Sequence, residues 1–199
     1  MKIILYIILY LYFSFLYADD EKKYVSEIIF LNNNAFSSKE LEEIIKLKSQ
    51  NVFTRSEFTL KKYNRDIILL QSFYKSNGFL DVEIKADYIV ETKNYVTITY
   101  DIYEGSNFKL KELVIVGNSI FSDTLIQNLL NINVNESFNA SQIRSKLLEL
   151  KMEYLKNGKI NVLIMDEVNI EKTKVAVRIN IYEGNTYTIN DITISGLES

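Results

Sequence analysis

The chain has 199 residues, 47% of them hydrophobic and 25% charged, with a net charge of −3 and no His, Cys, Pro or Trp. Without His and Cys there is no thiol nucleophile, no Ser-His-Asp triad, no thiolate zinc site and no disulfide framework. The near-neutral charge gives no reason to expect nucleic acid as a partner, and the hydrophobic content is enough for packed cores rather than disorder.

Ile3 to Tyr17 is apolar or aromatic apart from Ser14, with Lys2 before it and Ala18, Asp19, Asp20 and Glu21 after it. The run is shorter than the ~20 residues a spanning helix needs. It reads as a secretory signal peptide, residues 1–18, cleaved after Ala18. An uncleaved signal anchor is the alternative, and either one exports the rest. The acids at 19–21 read as flanking charge rather than a cation site.

The remainder of the chain repeats. Ile102-Tyr103-Glu104-Gly105 recurs as Ile181-Tyr182-Glu183-Gly184, and Tyr74…Asn77-Gly78 recurs as Tyr154…Asn157-Gly158. Upstream, Glu27 to Phe30 matches Glu112 to Ile115. A period of roughly eighty residues is too long for a solenoid unit and right for a small domain in tandem. The expected organisation is one module at 23–105, a second at 106–184, and the start of a truncated third at 185–199.

Each module opens on a strand, Val25 to Leu31 and Leu110 to Val116. Asn32 and Gly117 come directly after, residue types that tolerate positive φ. A helix start comes next. Ser37 caps it with Glu40 completing a capping box and Phe36 stapled to Leu41; Ser122 caps its counterpart, with Phe121 and Ile126 as the staple. Leu41, Ile44 and Ile45 map onto Ile126, Leu129 and Leu130 at helical spacing. Glu40, Glu42 and Glu43 read as that helix's start and solvated face rather than a catalytic set.

The second helix is longer. Its stripe is Leu60, Tyr63, Ile67, Leu70 and Tyr74 in one copy, and Ala140, Ile143, Leu147, Leu150 and Tyr154 in the other. Thr59 and Asn139 are the expected N-caps, and Gly78 and Gly158 the left-handed residues that end the helices.

Two alternating strands complete the module. Leu80, Val82, Ile84 and Ala86 alternate with charged residues, as do Val96, Ile98, Tyr100 and Ile102 with polar ones; Val175, Val177, Ile179 and Ile181 repeat the pattern. One face packs on helices and the other meets solvent. The fold class is α+β: tandem β-α-α-β-β modules, each a three-stranded mixed sheet packed on two helices.

A module of this order and length, in tandem behind a signal peptide and closing on Ile-Tyr-Glu-Gly, resembles the POTRA domains of the outer-membrane β-barrel assembly factor family (BamA-like). The residues carrying the resemblance are Tyr74…Gly78, Tyr100 to Gly105, Phe108, Leu110, Leu113, Ile115, Gly117, Asn118 and Phe121. The second copy is Tyr154…Gly158, Ile181 to Gly184, Tyr187, Ile189, Ile192, Ile194 and Gly196. The resemblance covers residues 24 to 199. It implies a non-enzymatic periplasmic arm at the outer membrane of a Gram-negative-type cell. Such an arm receives unfolded outer-membrane proteins, scaffolds the machinery's lipoproteins and passes clients to a C-terminal membrane β-barrel. The barrel is expected in the full-length protein rather than within these 199 residues. No cofactor or metal is expected, and there is no phosphate loop. An autotransporter-assembly or two-partner secretion transporter, or an envelope or cell-division scaffold, is the alternative.

In the resembling family the strand after the second helix is an open edge, here Leu80–Asp87 and Ile160–Asp166. An unpaired edge can accept a client as an added strand. The candidate client-binding residues are Val82, Glu83, Ile84 and Lys85, and Val162, Leu163, Ile164 and Met165. The outer face carries Glu83 and Lys85 in module one but Leu163 and Met165 in module two, which makes the second edge the stickier. Leu163 and Met165 either dock a client or pack against a neighbouring module or partner lipoprotein. Glu104, Gly105, Glu183 and Gly184 are the candidate module-junction turns.

Overall fold

A computed structural model describes residues 22–53 and 55–193; the signal segment, Ile194 and Gly196 lie outside them. The elements run β1 (Tyr24–Leu31), α1 (Ser38–Ile44), α2 (Leu60–Ser76), β2 (Glu83–Thr92), β3 (Tyr95–Tyr103), β4 (Lys109–Val116), α3 (Asp123–Leu130), α4 (Ala140–Lys156), β5 (Leu163–Glu171) and β6 (Lys174–Tyr182). The fold is α+β with two three-stranded sheets, ordered β1-β3-β2 and β4-β6-β5. The outer pairs β1–β3 and β4–β6 are parallel, and the hairpins β2–β3 and β5–β6 antiparallel. The described residues divide into two compact units, one running to residue 73 and resuming over 82–104, the other of 74–81 and the described residues from 105 on.

Local chemistry explains the helix starts. Ser37 accepts from the Glu40 amide while Glu40 accepts from the Ser37 amide at 2.8 Å, the reciprocal capping box. Ser122 and Asn139 cap α3 and α4 through the amides of Leu125 and Gln142. Thr59 caps α2 through the Lys62 amide at 3.2 Å. Both long helices end on a left-handed glycine, with φ +89° at Gly78 and +75° at Gly158. The amides of Phe79 and Lys159 reach back to the carbonyls of Tyr74 and Tyr154, each at 3.0 Å, the bond that closes a Schellman end.

The core of the second unit gathers the alternating face of β6 (Val175, Val177, Ile179, Ile181), Leu110 of β4, Ile126 and Leu130 of α3, and Ile143, Leu147, Leu150 and Tyr154 of α4. In the first unit Val96, Ile98, Tyr100 and Ile102 of β3 are buried with Val25, Phe30, Leu41, Tyr63 and Leu70. Leu60, expected on the α2 stripe, is 57% exposed. The stripe instead includes Asp66, which is fully buried and accepts the amides of Lys46 at 2.7 Å and Leu47 at 2.9 Å. Burial pushes its carboxyl up, although the two amide bonds pull the other way. An aspartate sits here because the chain leaving α1 has buried N–H groups that need an acceptor.

β2 and β5 start at Glu83 and Leu163, later than the expected Leu80 and Ile160, because residues 80–81 and 160–161 form a turn. The strands then run on to Thr92 and Glu171, beyond the expected Asp87 and Asp166. Both parallel ladders carry an irregularity at the same place, between Val25 and Glu27 and between Leu110 and Glu112. Residues 185–193 form no strand.

Candidate functional site

Each three-stranded sheet has two outer strands, and the structure treats them differently. The first half of β1 is paired by the chain's own loop between α1 and α2. The Gln50 amide donates to Ser26 O at 3.1 Å, the Val25 amide to Ser56 O at 2.9 Å, and the Phe58 amide to Lys23 O at 2.8 Å. The loop between α3 and α4 does the same for β4. There the Leu110 amide donates to Glu136 O at 3.0 Å, the Asn135 amide to Leu110 O at 2.6 Å, and the Phe138 amide to Phe108 O at 2.8 Å. On β2 and β5, among the described residues, the backbone pairs only with β3 and β6. Among the described residues each sheet therefore has one edge shielded over its first half and one edge, β2 or β5, that no further backbone pairs, although the Tyr88 amide of β2 is taken by Asp87 Oδ1.

The open edges carry apolar side chains. On β5 these are Leu163 (49% exposed), Met165 (43%), Val168 (43%) and Ile170 (47%). The register places Leu163 and Met165 opposite Tyr182 and Asn180 on the outer face. Ile164, Asp166, Val168 and Ile170 stand opposite Ile181, Ile179, Val177 and Val175, on the face that packs against the helices. Val162 is buried just before the strand.

On β2, Glu83 and Lys85 lie on the outer face opposite Tyr103 and Asp101, and Ile84 on the inner face opposite Ile102. Val82 precedes this strand and is buried. Beyond the expected end of the strand stand Tyr88 (36% exposed), Ile89 (64%) and Val90 (44%). The first unit thus has an apolar stretch on its open edge as well, set toward the hairpin. Sequence reasoning missed it by ending the strand at Asp87. The alternation continuing through Tyr88 and Val90 to the hairpin at Lys93-Asn94 was the available signal. Tyr88 is supported from below by Phe58 and Tyr63, with ring centroids 4.9 and 5.4 Å away.

The two glutamates of the repeated Ile-Tyr-Glu-Gly bond within their own units, Glu183 buried and Glu104 half-buried. Glu104 Oε1 accepts the Ala35 amide at 2.8 Å. Glu183 Oε1 accepts the amides of Ser119 at 2.6 Å and Ile120 at 3.1 Å. Each carboxylate thus ties the loop that leaves the first strand of its unit. Desolvation opposes the charge on Glu183, but the Ser119 hydroxyl and amide and the Ile120 amide outweigh it and hold the carboxyl down to about 2. Gly105 and Gly184 come next at φ +69° and +64°.

Among the described residues no cluster of His, Cys, Asp or Glu could hold a metal ion, and no helix is long and apolar enough to cross a membrane. The arrangement offers backbone hydrogen bonding along an exposed strand, bordered by apolar side chains.

The family model described as POTRA, surface antigen variable number repeat, matches residues 23–105 and 108–184. The outer membrane protein assembly factor BamA of Buchnera aphidicola subsp. Acyrthosiphon pisum is 29% identical over 185 residues, 87% of this chain and 30% of that protein. A putative outer membrane protein assembly factor of Treponema pallidum is 24% identical over 197 residues, 94% of this chain and 23% of that protein. The chain therefore spans less than a third of the length of these relatives. The crystal structure of Haemophilus influenzae BamA POTRA3-5 shares the fold, with a TM-score of 0.60, 19% identity, and coverage of 88% of this chain and 74% of that one.

Proposed function

The chain belongs to the POTRA family, and from that premise we propose that it forms part of the periplasmic arm of an outer-membrane protein assembly factor. In this reading β2 and β5 accept extended segments of unfolded β-barrel proteins as an added strand. Main-chain hydrogen bonds supply affinity that is blind to sequence, and alternate side chains add limited selectivity. This suits a receptor for many different barrel strands. Partner lipoproteins and a membrane barrel belong to the same reading.

The observation that carries it is the asymmetry of the edges. A sheet built only for stability gains from covering both rims, since an exposed apolar edge is an aggregation hazard. Here the loops shield β1 and β4 and leave β2 and β5 open, with apolar residues on both faces of the open strands.

The test is an edge block. Val168→Pro removes one donor from the β5 edge, and Ala86→Pro one from β2; proline is tolerated on an edge strand when its missing N–H faces outward. Binding of a peptide taken from a barrel strand is expected to fall at least tenfold in the double variant, with the far-UV circular dichroism melt retained. Unchanged affinity in a folded double variant would sink the reading.

A further inference from the structure

We infer that β5 selects, among extended segments, those with a lysine or arginine opposite Asp166, flanked two residues away on either side by apolar side chains. The inference rests on the strand-addition reading and names the chemistry of the segment that fits.

Hairpin geometry sets which residues address the open edge. β5 and β6 are joined by the two-residue loop Lys172-Thr173, with Lys172 at φ 54°, and Glu171 stands opposite Lys174. The Lys109 amide donates to Thr173 O at 2.9 Å, which turns Thr173 toward β4 and leaves Lys174, the next residue, facing β5. Hydrogen-bonded and non-bonded pairs then alternate down an antiparallel ladder. Glu171, Asn169, Glu167, Met165 and Leu163 turn their backbone groups toward β6. Ile164, Asp166, Val168 and Ile170 turn theirs to the open side. The equivalent β2 position supports this parity: the Tyr88 amide donates at 2.8 Å to Oδ1 of the preceding Asp87 rather than to β3.

The residues whose N–H and C=O meet an incoming strand are therefore the ones whose side chains face the helix layer. Three are Ile164, Val168 and Ile170; the fourth is Asp166, whose cross-strand neighbour Ile179 is fully buried. Asp166 is exposed, and among the described residues no donor or cation reaches its carboxylate. β5 contains three acids, Asp166, Glu167 and Glu171, and no basic residue.

An added strand would cover Asp166 and place one of its own residues about 5 Å away on the same face. An apolar residue there would desolvate the carboxylate without compensation. A lysine or arginine supplies the missing charge, while isoleucine or valine two residues away meets Ile164 and Val168. A second copy of β5 fits badly: the antiparallel register that sets Ile164 against Val168 brings two Asp166 carboxylates side by side, the inward-pointing charge that keeps an edge from self-pairing. At the equivalent place β2 has Ala86, so the preference belongs to the second unit.

The experiment uses nine-residue peptides alternating isoleucine and threonine, with lysine, glutamine or glutamate at the centre of the isoleucine face. Affinity is read by fluorescence anisotropy on the chain and on Asp166→Asn and Asp166→Lys. Amide chemical-shift changes at 164–170 against 84–90 locate the peptide. The lysine peptide is expected to bind β5 about fivefold tighter than the glutamine peptide, the upper end of a cross-strand charge pair. The preference should vanish in Asp166→Asn and pass to the glutamate peptide in Asp166→Lys. Equal affinities of the three peptides at β5 would overturn the selectivity and leave strand addition standing. No amide change at 164–170 with any peptide would overturn both.

Discussion

Lys159 Nζ stands 3.7 Å from Glu183 Oε2, with the two side chains only 10% and 7% exposed. Lys159 also donates to Gly184 O at 3.0 Å. The same repeat position after α2 is Phe79, which lies edge-on to Tyr74 at 5.7 Å. One copy thus fills this place with an aromatic ring and the other with an ammonium.

The pair is expected to be coupled. Lys159→Met removes the cation from beside a nearly buried carboxylate, and Glu183→Gln removes the anion; each should destabilise by about 1–3 kcal/mol. A double-mutant cycle by urea unfolding should return an interaction of about 1 kcal/mol. A cycle that closes at zero would make the ammonium a bystander held by Gly184 alone.

Acid sensitivity is expected from Glu183. Its carboxyl is lowered from 4.5 to about 2, so the folded state favours the ionised form more than the unfolded chain does. The stability this contributes is complete above pH 4.5 and is lost as pH falls through about 2. Between those values the melting temperature of the unaltered chain should drop more steeply than that of Glu183→Gln. Asp66, shifted the opposite way, is common to both and cancels in the comparison. Parallel curves would remove Glu183 as the source.

Gly117 has no room for a side chain. Its φ is +88°, and a Cβ would come within 2.1 Å of the Ile181 carbonyl. Gly117→Ala should cost roughly 2–4 kcal/mol by combining left-handed strain with displacement of β6 backbone. Gly184→Ala, at φ +64° with its nearest neighbour 3.5 Å away, should cost about 1–2 kcal/mol from conformation alone. Thermal melts of the two variants rank them, and equal losses would refute the steric account.

Asp66→Ala should destabilise by about 2–4 kcal/mol, because it orphans the amides of Lys46 and Leu47 in a buried place. Hydrogen exchange at those two amides should accelerate more than at Ile98, in the centre of β3. Uniform acceleration would mean global loss rather than a local acceptor role.

Leu163→Lys with Met165→Lys changes only the outer face of β5. Binding of a barrel-strand peptide should weaken roughly threefold to tenfold, as two apolar contacts are lost while the backbone edge remains. Retained affinity would assign these side chains to packing against another partner.

Much of the fold was legible because its signals are local. Ser37 and Glu40 are three residues apart and cap one another. Gly78 and Gly158 end helices through bonds to the preceding turn. The β3 and β6 strands alternate strictly because their neighbours on both sides leave one face for the core. Repetition doubled each signal and gave the unit length. The apolar outer pair Leu163 and Met165 was legible too, from comparison of the copies.

Other features needed tertiary structure. Leu60 has the spacing of a core residue but lies at the start of α2, where it is exposed, while Asp66 enters the stripe to serve amides twenty residues earlier in the chain. The shielding of β1 and β4 depends on backbone groups of Gln50, Ser56 and Phe58 and of Asn135, Glu136 and Phe138, and backbone pairing leaves no mark on side-chain pattern. The parity that sends the N–H and C=O of Asp166 to the open side depends on where the hairpin closes. The amino-acid order by itself determined the repeated unit, its helix ends and its alternating strands, since these arise between near neighbours. Which rim stays open, and which side chains border it, was decided only in three dimensions, because hydrogen bonds between distant stretches of main chain settle it.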